Sequence, residues 1–324
     1  MSINNNFSAI LIKDEGSTKN LSFENIRHWS PSDGLLWVNL DYNIQKNHEW
    51  LNTDSNIDGI VLEALLAEDT RPRYFTHNNG LLMILRGVNL NPGANPDDMV
   101  SLRLWVESNR IISIWRRKVM AVEDLRNDIL NGEGPKSEGE FLSHLTRSIS
   151  IRMAESINNI SDQVDELEEE IFEQKDKPLR TVISELRRQI IGLKRYLKPQ
   201  QEIFSRIQTE NIDFFTTDDL ASLRETTDRL TRYVEDLEAA KERTSVAQDE
   251  LESQLNSKMN STMYMLSIVT VIFLPLGLIT GLLGINVAGI PGANNPYAFY
   301  IVTGLLVFIA IMQVLIFRRK RWVL

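Results

Sequence analysis

The 324-residue chain has no cysteine. That excludes a disulfide framework and any thiolate metal site. Histidine is scarce: His28, His48, His77 and His144 are scattered, and no two are spaced as a metal-binding pair, so a structural zinc site of the usual kind is not available. Charge is missing altogether from Met263–Phe317, which contains no Asp, Glu, Lys or Arg. An excess of basic residues is missing too. With 35 Lys and Arg against 44 Asp and Glu the net charge is -9, a poor balance for general nucleic-acid binding and a reasonable one for attracting cations. No P-loop, G-x-S-x-G, cysteine nucleophile or paired histidine is present, so nothing positive supports an enzyme. The first residues, MSINNNFSAILIKDEG, lack a basic stretch followed by an apolar one, and a signal peptide is not expected.

What is present divides into a soluble body and an apolar tail. A content of 43% hydrophobic and 8% aromatic residues excludes intrinsic disorder. Ten Pro and sixteen Gly exclude a collagen-like or low-complexity chain. Residues 1–136 read as a mixed α/β domain. Short runs rich in Val, Ile, Leu and Trp predict strands over Phe7–Lys13, Leu35–Leu40, Leu81–Asn89, Met99–Glu107 and Arg110–Arg116, with Ser108-Asn109 as a tight turn between the last two. Helical stretches are expected at Gln45–Leu51, Ile57–Ala67 and Val122–Leu130.

Residues 137–262 form a second region of long helices. The first is predicted over Ser137–Gln174, and its last part carries Asp162, Asp165, Glu166, Glu168, Glu169, Glu170 and Glu173. Lys175–Pro178 breaks it. The second, Leu179–Gln208, carries Arg180, Arg187, Arg188, Lys194, Arg195 and Lys198, which suggests a hairpin with complementary flanks. The acidic face reads equally as a solvated surface or as a surface that concentrates cations. Thr217 can cap a third helix, with Asp218 and Asp219 favourable in its first turn. Leu223, Leu230, Leu237 and Leu251 share one heptad register, and Val234 and Leu255 the companion one, with Lys241, Thr244 and Gln248 interrupting the seam. Nothing breaks this helix before residue 283, and at 1.5 Å per residue it would be roughly 100 Å long. A helix of that length needs neighbours along its course, which points to an oligomer.

Residues 263–324 form a transmembrane domain. The runs Met263–Leu283 and Ala298–Phe317 each have about the 20 residues needed to cross a bilayer. Arg318, Arg319, Lys320 and Arg321 follow the second run at once, which by the positive-inside rule puts this end in the cytoplasm. Two spans then put the N-terminal body there too. Within the first span, Asn260, Met263, Ser267, Thr270, Leu274, Gly277, Gly281 and Gly284 step by three or four along one face. This stripe reads either as a small-residue packing face between membrane helices or as a pore wall repeated around a symmetry axis. Pro275, on the adjoining face, leaves the Val271 carbonyl without its helical donor. With no carboxylate in the spans, a permeating cation keeps much of its water shell, held by amide, hydroxyl and carbonyl oxygens.

Gly284-Ile285-Asn286 stands at the outer end of the first of two C-terminal spans, on a long helix that leaves an α/β body. Together with Glu68-Asp69-Thr70-Arg71-Pro72-Arg73, Leu85-Arg86-Gly87-Val88-Asn89, the run from Arg116 to Leu125 and the run from Gly284 to Gly292, this resembles the two-span GxN family of metal cation transporters founded on CorA, and within it the ZntB zinc-transporting branch. The resemblance covers essentially the whole chain. It implies a funnel-shaped homopentamer in the bacterial inner membrane, with both termini cytoplasmic and membrane lipid, metal cations and its own copies as partners. It implies no resident cofactor, and Zn2+ as the transported ion. Five copies of Asn286, with nearby carbonyls, would receive the hydrated cation at the outer mouth, and the stripe from Asn260 to Gly284 would line the pore.

Arg318, Arg319, Lys320 and Arg321 would form a basic collar at the cytoplasmic mouth, or serve only as a topology signal and lipid anchor. The magnesium-transporting members usually have Met at the position of Ile285 and an acid in the outer loop; both are missing here, which turns the expectation away from Mg2+ without by itself establishing Zn2+. The ZntB branch implies proton coupling, for which Asp249, Glu250 and Glu252 are the candidates nearest the spans. A broader Mg2+, Co2+ or Ni2+ channel and, from another class, a membrane-anchored coiled-coil sensor are the competing readings.

Overall fold

The computed structural model describes residues 7–13, 16–68, 71–173, 178–285, 290, 292 and 295–319. Packing divides the chain into two compact units, Met1–Gln248 and Asp249–Leu324.

In the first unit, strands β1 (Phe7–Ile12), β2 (Thr18–Leu21), β3 (Leu35–Asp41), β4 (Arg73–His77), β5 (Gly80–Gly87), β6 (Val100–Glu107) and β7 (Arg110–Trp115) form one sheet in the order β2-β1-β3-β7-β6-β5-β4. Only β3 and β7 pair in parallel. Every residue of β3, LLWVNLD, is buried, as a central strand covered on both faces requires. On one face, Leu36, Val38, Leu40, Leu82, Ile84 and Ile112 pack against Trp50 and Leu51 of α2 (Gln45–Thr53) and Val61 and Leu65 of α3 (Gly59–Leu66). On the other face Trp37 meets Phe141 edge to face, with ring centroids 5.2 Å apart. Asn39, a polar residue of this core, is paired. Asn39 Oδ1 accepts from Ser113 Oγ at 2.8 Å and from Trp115 Nε1 at 3.0 Å, tying β3 to β7.

The five expected strands are present, and the turn at Ser108-Asn109 carries Asn109 at φ 58°. β2 and β4 were not expected. They are the two edges of the sheet, and with the sequences TKNL and RYFTH neither contains a buried residue.

Four further helices complete the first unit's framework: α4 (Met120–Leu130), α5 (Glu138–Phe172), α6 (Leu179–Ile207) and the start of α7 (Thr217–Leu283), after the one-turn α1 (Phe23–Ile26) near the N-terminus. Ser137 caps α5, its Oγ accepting from Glu140 N–H at 3.2 Å, while Glu140 accepts from the Lys136 N–H at 2.7 Å. α5 buries Phe141, Leu145, Ile149, Met153, Ile160, Val164, Leu167 and Ile171, a stripe at helical spacing. The cap of α7 is Thr216, not Thr217. Thr216 Oγ1 accepts from Asp219 N–H at 3.2 Å, and Asp219 Oδ2 accepts from Thr216 N–H at 2.9 Å, a reciprocal capping box that a cap at 217 would not close.

The helix seam also differs in detail from the expected one. Leu223, Leu230 and Leu237 are 2%, 0% and 0% exposed. Thr244 does not interrupt the seam; it is fully buried between Ala240 and Ala247, with its hydroxyl donated to Lys241 O at 2.7 Å. Small residues let the helix pack closely there. The acidic end of α5 finds a counter-charge on α7: Arg243 donates to Glu168 Oε1 at 2.9 Å and Oε2 at 2.6 Å and to Asp165 Oδ1 at 2.5 Å. Lys194 of α6 likewise pairs with Glu238 of α7. Thus α7 supplies complementary charges to both flanks. The predicted break at Lys175–Pro178 lies outside the described residues except for Pro178.

In the second unit α7 continues to Leu283, and α8 runs Ala298–Arg319. Both contain windows long and apolar enough to cross a membrane, and neither window is buried within the chain. Ile268, Ile272, Pro275, Leu276 and Ile279 of α7 and Leu306, Ile309, Ala310 and Gln313 of α8 are half-buried and Phe317 is buried, which marks the sides on which the pair meets at Gln313 and Val271.

Candidate functional site

The C-terminal half of α7 carries two faces. The first is the α8-facing set just named. The second holds the predicted stripe: Asn260, Met263, Ser267, Thr270, Leu274, Gly277, Gly281 and Gly284, all exposed within the chain, with Met263 at 63% and Leu274 at 69%. At about 100° per residue the mean directions of the two sets lie roughly opposite each other around the helix. The stripe therefore takes no part in packing α7 on α8. The two helical glycines repeat the point, since a Cβ added at Gly277 or Gly281 would meet nothing within 4 Å. Pro275, expected beside the stripe, belongs to the α8-facing set.

The register extends towards the N-terminal side. Asp249, Glu252, Ser253, Asn256, Ser257 and Asn260 line one shallow groove along α7. Asp249, Glu252, Asn256 and Asn260 continue the stripe by steps of three and four. Glu250 falls on the opposite side and accepts from Gln254 Nε2 at 3.1 Å. The structure thus brings Asp249 and Glu252 into register with the stripe and separates Glu250 from it. Asn256 was not singled out from sequence, although its spacing from Glu252 and Asn260 places it there.

The hydroxyls on the stripe have their protons engaged. Ser267 Oγ donates to Met263 O and Thr270 Oγ1 to Leu266 O, each at 2.9 Å. Each oxygen then keeps lone pairs facing away from its own helix, which suits a water molecule or a cation's hydration shell. Gly284 N–H donates to Thr280 O at 2.9 Å, closing the last turn, and Ile285 follows, half exposed. Asn286, Lys320 and Arg321 lie outside the described residues; Arg318 and Arg319 are exposed at the end of α8.

Gln313 was missed. Its Nε2 donates to the Val271 carbonyl at 3.3 Å, the carbonyl that Pro275 was expected to leave open. The sequence signal was a lone amide in an otherwise apolar, uncharged run.

Several charged groups in the first unit are in pairs. The Glu168 and Asp165 carboxylates hold the Arg243 guanidinium above its usual range, and the Lys194 ammonium holds the Glu238 carboxyl below its own. Burial pushes the Arg103 guanidinium down to about 10 and the Tyr74 phenol up to about 12. Among the described residues, no three His, Asp or Glu side chains converge as a metal cluster would.

The profile of the CorA-like Mg2+ transporter protein family matches residues 32–319, most of the chain. The chain belongs to that family. Its similarity to the divalent cation transporter CmaX of Pseudomonas aeruginosa is 40% identity over 289 residues, covering 89% of this chain and 87% of CmaX. Similarity to the zinc transport protein ZntB of Pectobacterium carotovorum is 35% over 291 residues, covering 90% of this chain and 89% of that one. A solved structure of full-length CmaX superposes with a TM-score of 0.85 at 37% identity, covering 99% of this chain and 100% of that one. The CorA-like architecture expected from the sequence, an α/β domain followed by long helices and two C-terminal apolar helices, is the one observed.

Proposed function

We propose that this chain transports divalent metal cations, with Zn2+ as its physiological ion, across the bacterial inner membrane. The observation that carries the reading is the stripe from Asn260 to Gly284 on the face of α7 opposite α8. Small and polar residues that serve no packing within the chain fit a wall shared with other copies. Membership of the CorA-like family and the ZntB and CmaX relatives support cation transport as the use of that wall.

In this reading five chains surround one axis, and their α7 stripes line it. Asn286, by resemblance, takes the hydrated cation at the outer mouth, with Gly284 and Ile285 shaping the approach. The ion then passes Gly281, Gly277, Leu274, Thr270, Ser267, Met263 and Asn260 with its inner water shell in place. No carboxylate stands between Met263 and Phe317 to strip that shell. Asp249 and Glu252 add negative charge in the same register and are the groups for proton coupling; Glu250 is not in that register. Arg318, Arg319, Lys320 and Arg321 form the basic collar. The termini are cytoplasmic, lipid covers the outer faces of the spans, and the chain acts as a transporter without an enzymatic step or resident cofactor.

The test is zinc-dye fluorescence in proteoliposomes, with and without an inward proton gradient, for the wild type and Asn286→Ala. Zinc entry that rises with the gradient and collapses in the variant is expected. Entry of Mg2+ or Co2+ without Zn2+ entry, independent of the gradient, would replace this reading by a broad divalent channel. That second reading is favoured by the likeness to CmaX, whose name specifies no single divalent ion. No flux of any cation would return the chain to the sensor reading.

A further inference from the structure

The contact between Gln313 and Val271 explains a residue that the transport reading leaves without a role. A Pro in a helix removes one N–H, so the carbonyl four residues earlier loses its donor. For Pro275 that carbonyl belongs to Val271. In hydrocarbon an unpaired carbonyl is costly, and a helix there must find another donor or rearrange. Gln313 supplies one from α8, its Nε2 lying 3.3 Å from Val271 O. Because the partner is a carbonyl, the amide nitrogen and not its oxygen must face it.

Three details argue that this bond is the reason for the amide. Gln313 is the one amide side chain in α8, AFYIVTGLLVFIAIMQVLIFRR. Its Oε1 is buried and has no partner, so the donor is the half of the side chain that the fold uses. Thr303, another polar residue of α8, turns back on its own helix at Phe299 O, 2.8 Å away, whereas Gln313 reaches across to α7. The bond also falls on the α8-facing side of α7, with the stripe on the other side of the same turns.

We propose that Gln313 is a positioning residue for cation passage, its side-chain N–H replacing the donor that Pro275 withholds from the Val271 carbonyl. It fixes the backbone of α7 where the helix is weakest and so holds Thr270 and Leu274 of the stripe in place. The proposal rests on the transport reading above for its consequence, and on the Gln313–Val271 bond for its cause.

The experiment is a double-mutant cycle in the full chain: wild type, Gln313→Met, Pro275→Ala and both together, with Gln313→Leu as a second donor-free variant. Met keeps length and volume and removes the donor. Initial zinc flux in proteoliposomes is expected to fall about threefold to tenfold in Gln313→Met, the range of one interhelical hydrogen bond in a membrane. In the Pro275→Ala background residue 275 regains its N–H, and the second substitution should change flux by less than about twofold. A merely structural role for Gln313 would cost the same in both backgrounds, and that result would overturn the proposal.

A second readout does not depend on transport. The chain has no cysteine, so Tyr264→Cys and Leu283→Cys accept spin labels cleanly, with labelled chains diluted among unlabelled ones. The distance distribution should shift between the wild type and Gln313→Met, and should not shift between Pro275→Ala and the double variant. A shift of this pattern in a protein that passes no cation would support the Gln313–Val271 bond while refuting the transport reading. An unchanged distribution in Gln313→Met would overturn the proposal even where flux is intact.

Discussion

Before Gln248, α7 buries Leu223, Thr226 and Leu230, then Leu237, Ala240 and Thr244, against its own chain; beyond it, the same three-and-four spacing carries Met263, Ser267, Thr270 and Leu274 on a face that its own chain leaves exposed. One helix thus uses one periodicity in two ways. In the first part the spacing is explained by burial, and each leucine has neighbours that account for it. In the second part the packing on α8 is done by Ile268, Ile272, Leu276 and Ile279, and the stripe on the far side is left over. Periodicity that a chain does not need for its own core points to something outside the chain, which the proposed function takes to be other copies and the ion between them.

The largest expected effect separates the two parts on stability. Leu237→Ala should cost about 3 kcal/mol by removing a fully buried side chain, whereas Leu274→Ala should change unfolding by less than about 0.5 kcal/mol. Urea unfolding followed by tryptophan fluorescence reads the first unit, where Trp29, Trp37, Trp50, Trp105 and Trp115 lie, and far-UV circular dichroism, which follows α7 and α8 as well, reads the second. Equal costs would break the comparison. Next in size is the cap of α7: Thr216→Ala should destabilise the first unit by about 1 kcal/mol and Thr217→Ala by much less. The same unfolding assay distinguishes them.

Smaller effects sharpen the second part. Asp249→Asn and Glu252→Gln should each lower zinc flux about twofold at low ionic strength, with the difference shrinking as salt rises, and Glu250→Gln should leave flux unchanged. Flux measured at two salt concentrations checks the register directly. The smallest effect belongs to the Asp124–Arg152 pair. The hydrogen bonds from Arg152 hold the Asp124 carboxyl below its usual range, against the opposing effect of burial. Its contribution is present above the ordinary carboxylate value near pH 4 and is lost as the pH falls through the lowered one. The pair is more than a third exposed, so the loss should be under about 1 kcal/mol, and Asp124→Asn should flatten the acid limb of the stability curve by that amount.

Much of this architecture was legible in the sequence because burial writes a period. The strands Leu35–Leu40 and Met99–Glu107, the start of the long helix near Ser137 and the two apolar runs each carry a local signal strong enough to stand alone. β2 and β4 were not legible because edge strands with solvated side chains, such as TKNL and RYFTH, have no buried alternation to show. The pairing of Arg243 with Glu168 was not legible either, since nothing in a sequence says which of two neighbouring helices answers an acidic face. At the candidate site the stripe and the open Val271 carbonyl followed from spacing and from Pro275. That Gln313 fills that carbonyl did not, because the two residues are 42 positions apart and only the packing of α8 on α7 brings them together.

The claim that the far face of α7 is the ion path has a direct test. The absence of cysteine allows single substitutions Ser267→Cys, Thr270→Cys and Gly277→Cys on the stripe and Ile268→Cys, Ile272→Cys and Ile279→Cys on the α8-facing side. Each would be treated with a water-soluble cationic thiol reagent during zinc flux in proteoliposomes. The account predicts rapid modification and block at the three stripe positions and protection at the other three. Block at the α8-facing positions, with the stripe unreactive, would contradict it.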